Sequence, residues 1–224
     1  MTRPDDEPAR LRSVAETLAT EAADFVRRRR AEVFGTDAST TGNGAVRSKS
    51  TPTDPVTVVD TETERLLRDR LAQLRPGDPI LGEEGGGPAD AGDLGATPSD
   101  AVTWVLDPID GTVNFVYGIP AYAVSVAAQV EGVSVAGAVA DVVAGRVYSA
   151  ATGLGAHVVD GQRTDPLRCA AVEDLSMSLL GTGFGYSRRR RTTQAALLAR
   201  MLPVVQPRWR GKRLRMGILH RPLC

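Results

Sequence analysis

The chain has 224 residues, of which 42% are hydrophobic and 24% charged, and its formal net charge is zero. A chain of this size buries enough surface to fold without cross-links, and its two cysteines (Cys169 and Cys224) form no Cys-x-x-Cys pair, which excludes a disulfide framework and a thiolate zinc site. No apolar run reaches about 18 residues and the first ten residues are polar, so we expect no membrane span and no signal peptide, and predict a cytoplasmic protein.

The acidic and basic residues are unevenly distributed along this neutral chain. Asp174 is the last acidic residue, and the 11 basic residues that follow it have no acidic counterpart. A basic block is one signature of nucleic-acid binding. No known nucleic-acid-binding motif accompanies it, so we do not expect a nucleic-acid partner.

Two helices are predicted in the first third of the chain. Apolar residues at three- and four-residue steps from Leu11 to Val26 predict an amphipathic helix that ends near Arg30. The polar stretch 35–50 is typical of a loop or an irregular hairpin. A second apolar stripe over 59–74 predicts another helix, and Pro76-Gly77 predicts that this helix ends there.

Strands dominate the middle of the chain. Residues 101–106 predict a buried strand, and four apolar stretches separated by glycine-containing turns predict an antiparallel meander over 121–159. A strand over 177–181 and a helix over 189–201 are predicted beyond it. Helices, then a sheet, then a helix indicate an α+β fold, a layered sandwich.

The candidate chemistry lies at the ends of strands. Asp107 and Asp110 follow the buried strand within Asp-Pro-Ile-Asp-Gly-Thr, and carboxylates this close repel one another unless a cation lies between them. Such hard oxygen ligands suit Mg²⁺, which also accepts a main-chain carbonyl such as that of Ile109. Glu83, after another short apolar run, is a further candidate ligand. If a helix begins at Gly111, the N–H groups at its start favour an anion.

Each of these features also has a purely structural interpretation. Asp-Pro and Asp-Gly are common turn formers, and Glu83-Glu84 beside three glycines is typical of a solvated loop. Asp54 and Asp60 suit the N-cap of the second helix, and Lys49 suits the surface. Taken one at a time, the residues leave both interpretations open.

Their order along the chain is more informative than any single motif. The segments are Lys49, Asp54-x-Val56-Thr57-x-x-Asp60-x-x-x-Glu64, Gly82-Glu83-Glu84, Trp104 to Phe115, Gly118 to Ala127, and Gly181 to Tyr186. In this order they resemble the inositol monophosphatase family in its bacterial form. The resemblance extends from about Leu11 to Met201 and implies the layered sandwich of sugar phosphatases.

The resemblance implies a Mg²⁺-dependent phosphomonoesterase. It makes Glu83, Asp107 and the Ile109 carbonyl ligands of one Mg²⁺, and Asp107 and Asp110 ligands of a second. A bound cation neutralises charge on the phosphate and activates a water near neutral pH, so no histidine or cysteine nucleophile is needed.

The remaining roles that the resemblance implies concern the water and the phosphate. Asp60 and Thr112 are similar to the pair that orients the attacking water, which Glu83 helps to activate. The main-chain N–H groups of Gly111 and Thr112 are similar to those that hold phosphate oxygens. Lys49 is counted with them among the substrate-binding residues.

The resemblance stops before the end of the chain. Family members continue into a region with a Trp-Asp motif whose aspartate completes the second metal site, whereas Trp209 is followed here by Arg210 and no acidic residue lies in the tail. We therefore predict an incomplete family domain over 1–203, with its C-terminal portion missing, and an aberrant basic tail over 204–224. Such a patternless arginine-rich tail is typical of a changed reading frame.

The predicted function is hydrolysis of inositol 1-phosphate or a similar small polyol phosphate by metal-activated water, in a homodimer. Histidinol-phosphate and fructose-bisphosphate phosphatases share the metal core within the superfamily and stay open as alternatives. An alternative from a different class is a truncated, catalytically weak or inactive remnant that acts only through partner binding.

Overall fold

A computed structural model of the chain describes residues 6–35, 46–48, 55–85, 101–169, 171–177, 183–185 and 187–205. Its helices and strands are, in chain order, α1 (Asp6–Phe34), β1 (Val46–Ser48), β2 (Pro55–Thr57), α2 (Val58–Leu74), β3 (Ile80–Gly82), β4 (Val102–Asp110), α3 (Thr112–Tyr117), β5 (Ala123–Val130), β6 (Val133–Asp141), β7 (Arg146–Ala151), β8 (Gly155–Asp160), β9 (Arg163–Leu167) and α4 (Arg188–Met201). None of the helices in these ranges has the length and apolar character that crossing a membrane requires.

The chain divides into two compact units. One comprises Met1–Arg47 with Pro55–Arg168, and the other comprises Ser48–Asp54 with Cys169–Cys224. In the second unit, the strand predicted over 177–181 is wrong at Met177, which ends a short 3-10 turn; residues 178–182 lie outside the described ranges. The division predicted at residue 203 stays a prediction.

Seven strands of the first unit form one sheet in the order β3-β4-β5-β6-β7-β8-β9. Strand β3 runs parallel to β4, and every other neighbouring pair is antiparallel, so the predicted meander is confirmed. The hydrophobic pattern does not predict β9, because its residues are mostly polar and include Pro166. Strand β9 is the last in the strand order and pairs with β8 along one side. Proline is tolerated in such an edge strand, because its missing N–H can face the side without a partner strand.

Helices α1 and α2 pack on one face of this sheet, with α1 against β5, β6 and β7 and α2 against β4. The predicted apolar stripe of α1 is confirmed: Leu11, Leu18 and Val26 are all buried. The helix ends at Phe34, four residues beyond its predicted end. Phe34 is buried and packs edge-to-face on Phe115 with ring centroids 5.4 Å apart, which gives the last turn a tertiary contact that local periodicity does not reveal.

The strand register assigns side chains to the two faces of the sheet. Leu106 lies opposite Val126, Val126 opposite Ala138, and all three are buried in the core beneath the helices. Because side chains alternate along a strand, their neighbours Val105 and Ala127, which also pair, project to the other side. We call these two surfaces the helix face and the opposite face.

Candidate active site

A β-bulge at the end of β4 determines where Asp107 and Asp110 project. In the register with β5, Asp107 lies opposite Ser125 and Asp110 lies opposite Ala123, with an irregularity between them. Residues three apart on a regular strand project to opposite faces, but here three steps on β4 match two on β5. Both aspartates therefore share the opposite face with Ser125.

The residues within the bulge explain why the strand deforms there. Pro108 has no N–H to donate to the ladder, and Ile109 is buried in the core. Asp107 and Asp110 themselves are only half-buried, although Asp107 Oδ1 and Asp110 Oδ2 are withdrawn from solvent. The interpretation of Asp107-Pro108 as a turn is wrong, because β4 continues to Asp110.

Glu83 follows the neighbouring parallel strand. Strand β3 ends at Gly82, which is in register with Leu106 of β4. Because β3 runs parallel to β4, Glu83 leaves β3 at the level of Asp107, while β4 itself continues to Asp110. Glu83 is exposed. The fold thus brings the third predicted acid to the same edge as the two aspartates.

Asp60 belongs to a buried hydrogen-bonded group at the start of α2. Thr57, not Asp60, is the N-cap: Thr57 Oγ1 accepts from the Asp60 N–H at 3.3 Å, and Asp60 Oδ2 accepts from the Thr57 N–H at 2.9 Å. These two bonds form a capping box in which Asp60 is the N3 residue. The interpretation of Asp60 as the N-cap is therefore wrong. The other oxygen, Asp60 Oδ1, lies 3.2 Å from Thr112 Oγ1. The side chains of Asp60 and Thr112 are therefore within hydrogen-bond distance, while the role of the pair stays a prediction.

Gly111 turns the chain from β4 into α3. It caps α3 with a left-handed φ of 92°, and a Cβ at this position would lie 3.1 Å from the Ala121 carbonyl oxygen, so both the backbone conformation and the close contact favour glycine. Helix α3 begins at Thr112, so Gly111 is its N-cap rather than its first residue. Its residue Phe115 packs edge-to-face on Tyr122 at 5.2 Å, and burial raises the pKa of the Tyr122 hydroxyl.

One buried acid near the site, Glu64, is not predicted from the sequence to have a role there. The sequence motif includes Glu64 without implying a role for it, yet Glu64 is 3% exposed and accepts hydrogen bonds from the main-chain N–H groups of Glu84 (2.7 Å) and Gly85 (2.8 Å). Glu64 lies four residues after Asp60, so the two side chains share one face of α2. This spacing is the sequence signal that links Glu64 to the site. Lys49 and Asp54 lie outside the described residues.

The donor atoms fit Mg²⁺ by type, since carboxylate and carbonyl oxygens are the hard ligands that this ion prefers. The fold also brings Glu83, Asp107 and Asp110 to one edge of the sheet. Nevertheless, the His, Cys, Asp and Glu side chains of the described ranges form no group of three or more that could hold a metal ion. The donor atoms thus have the right chemical type and lie at neighbouring strand ends, while the metal-ligand set stays a prediction.

The helix layer, the sheet and its acidic strand ends define an α+β sandwich of the sugar-phosphatase type. The solved structure of Mycobacterium tuberculosis SuhB matches with a TM-score of 0.70 and 65% identity, covering 88% of this chain and 67% of that one. The profile of the inositol monophosphatase family matches residues 7–218. The chain therefore belongs to the inositol monophosphatase family, and this membership makes it a phosphatase.

Two curated relatives show how much of a family member the chain represents. The inositol-1-monophosphatase of Mycobacterium leprae is 79% identical over 206 residues, which cover 92% of this chain and 70% of that protein. The inositol-1-monophosphatase SuhB of Mycobacterium tuberculosis is 75% identical over the same lengths. The chain thus spans about 70% of the length of these relatives.

Proposed function

We propose that the chain is a Mg²⁺-dependent phosphomonoester hydrolase that acts on inositol 1-phosphate or a similar small polyol phosphate. The observation that carries the proposal is the bulge in β4, which places Asp107 and Asp110 on one face at the edge where Glu83 leaves β3. The names of the two mycobacterial relatives support inositol 1-phosphate as the substrate.

The divalent cation would be held by Glu83, Asp107, Asp110 and the Ile109 carbonyl. When bound, it supplies positive charge next to the phosphate oxygens, where negative charge grows as the ester bond breaks.

The Thr112 hydroxyl links this metal set to a buried acid. Thr112 Oγ1 lies 3.2 Å from Asp60 Oδ1 and 3.0 Å from the Ile109 carbonyl oxygen, but a hydroxyl carries a single hydrogen. Donation to Asp60 leaves the Ile109 carbonyl available to a cation and leaves the Thr112 lone pairs available to a water. Asp60 would in this way set the orientation of the hydroxyl and, through it, of the attacking water.

The phosphate would lie at the start of α3. Gly111 and Thr112 would donate main-chain N–H groups to its oxygens, and Lys49 would add a positive charge. Gly111 suits this position because the absent side chain permits both the left-handed turn and the close approach of another group. A homodimer and a cytoplasmic location complete the proposal as predictions from the sequence.

The spacing of the described acids favours a second candidate function. Because they form no group of three that could hold a metal, a catalytically weak or inactive remnant that acts through partner binding is the alternative. The tail supplies no acid to complete the set.

Phosphate release by the purified chain tests both candidates. We expect release from inositol 1-phosphate with Mg²⁺, none after EDTA, and faster release than from histidinol phosphate or fructose 1,6-bisphosphate. Asp107→Asn should abolish release, whereas Asp160→Asn, which removes a surface carboxylate paired with Arg146, should retain it. A sample with a cooperative thermal unfolding transition but no phosphate release from any of the three would favour the remnant.

A further inference from the structure

Two buried carboxylates on one face of α2 each contact a different segment of the site, namely the start of α3 and the turn after β3. Asp60 is 1% exposed and contacts Thr112, which follows β4; Glu64 is 3% exposed and contacts the turn that follows β3. The two acids are four residues apart, about 6 Å along the helix axis, and lie on the same side of it. Helix α2 therefore sets the distance between the start of α3 and the turn after β3.

The contact of Glu64 with the turn is a pair of charge-assisted hydrogen bonds. Glu64 Oε2 accepts from the Glu84 N–H at 2.7 Å and Oε1 from the Gly85 N–H at 2.8 Å, while Arg68 Nε donates to Oε1 at 2.8 Å. Hydrogen bonds to an ionised acceptor are stronger than neutral ones. The cation of Arg68 also compensates the buried negative charge.

The two glycines that flank Glu83-Glu84 make room for this carboxylate. A Cβ at Gly82 would lie 2.2 Å from Glu64 Oε1, and one at Gly85 would lie 2.6 Å from the same atom. The sequence Gly-Glu-Glu-Gly is thus shaped around Glu64 rather than merely flexible. It also leaves the Glu83 side chain exposed.

We infer that Glu64 is a positioning residue: it fixes the main chain directly after Glu83 and so holds that carboxylate for the divalent cation. The inference rests on the proposed function in assigning Glu83 to the cation. It adds a residue that contacts neither cation nor substrate and acts through two main-chain N–H groups. Partners of this indirect kind typically change metal affinity about 10- to 100-fold.

The test compares Glu64→Gln with Glu62→Gln, a matched change on the same helix at a partly exposed ion pair with Arg29. Two quantities are measured: amide hydrogen exchange of Glu84 and Gly85 by NMR, and Mn²⁺ affinity from the electron paramagnetic resonance signal of free Mn²⁺. We expect Glu64→Gln to accelerate exchange at both amides at least about tenfold and to weaken Mn²⁺ binding about 10- to 100-fold. Glu62→Gln should change neither. Equal values in the two variants would overturn the inference.

A second variant covers the case in which Glu64→Gln does not fold. Gly85→Ala, at an exposed position, adds a methyl group that must push the turn and the Glu64 carboxylate apart without removing any charge. It should show the same two changes, and unchanged exchange and affinity would contradict the inference. A wild-type chain that binds no Mn²⁺ would instead refute the proposed metal site, and faster amide exchange in the variants would still support the anchoring of the turn by Glu64.

Discussion

The two faces of the seven-stranded sheet differ in what their side chains contribute. On the helix face, large and small apolar residues of β4, β5 and β6 are fully buried under α1 and α2. On the opposite face most residues are only partly buried, and they include Asp107, Asp110 and Ser125. A groove of about 390 Å³, lined largely by β5 to β7, also lies on this unit's sheet.

This difference shows how one sheet separates stability from chemistry. Burying apolar area contributes most of the folding free energy, so the helix face tolerates little change. The carboxylates of Asp107 and Asp110 contribute no such energy, and they share the opposite face because the packed helix face holds β4 and β5 in register. Substitutions on the two faces should therefore have separable effects.

The largest expected effect is on the helix face. Trp104 is fully buried, and its indole N–H donates to Asp78 Oδ2 at 2.9 Å. Trp104→Ala should lower the free energy of unfolding by about 3–5 kcal/mol, because it leaves a large cavity and removes this hydrogen bond. Urea denaturation measures the loss. Trp104→Phe, which retains most of the ring volume, should lose clearly less; an equal loss would mean that packing does not dominate at this site.

An identical substitution on the two faces compares them most directly. Val126 is buried on the helix face, whereas Val139 is half-buried on the opposite face. We expect Val126→Ala to cost about 2 kcal/mol and Val139→Ala less than about 1 kcal/mol, because the second site loses fewer apolar contacts. Denaturant midpoints at equal slopes give both values. Equal costs would show that the opposite face is packed as tightly as the core.

On the opposite face, a site residue should affect metal binding more than stability. Asp110→Asn keeps the side-chain shape but removes a proposed ligand, so Mn²⁺ affinity should fall at least about tenfold. The free energy of unfolding without metal should change by less than about 1 kcal/mol, because Asn fills the same space at this half-buried position and creates no cavity. Titration with Mn²⁺ and denaturation of the same samples give the two numbers. A loss of stability with unchanged affinity would place Asp110 among the structural residues.

The smallest effect is expected on the outer surface of the helix layer. Arg70 donates two hydrogen bonds to Glu21, at 2.7 and 2.8 Å, and these lower the pKa of the Glu21 carboxyl. A lowered folded-state pKa stabilises the fold above the unfolded-state pKa of glutamate and loses that contribution as the pH falls through the folded value. Both groups are about one-third exposed, so Glu21→Gln should lower the melting temperature at pH 7 by only about 1–2 °C. The difference from wild type should vanish near pH 3, and a difference that persists there would exclude this ion pair as its cause.

Much of this architecture could be predicted because it depends on local periodicity. The stripe from Leu11 to Val26 specifies α1, and the spaced apolar runs specify the meander. The last turn of α1 and strand β9 could not be predicted in this way, because Phe34 is held by an aromatic ring far along the chain and β9 by pairing with β8.

The features of the site also divide into those that depend on local sequence and those that depend on tertiary contacts. The sequence by itself determined the family, the acidic residues and the turn at Gly111, because residue type and order are local properties of the chain. Only the tertiary structure decided that Asp107 and Asp110 share a face, since a bulge exists only relative to the register of a partner strand. It also decided that Asp60 meets Thr112 and that Glu64 holds the turn after Glu83, because a buried carboxylate binds whichever donors the packing of α2 on the sheet brings to it.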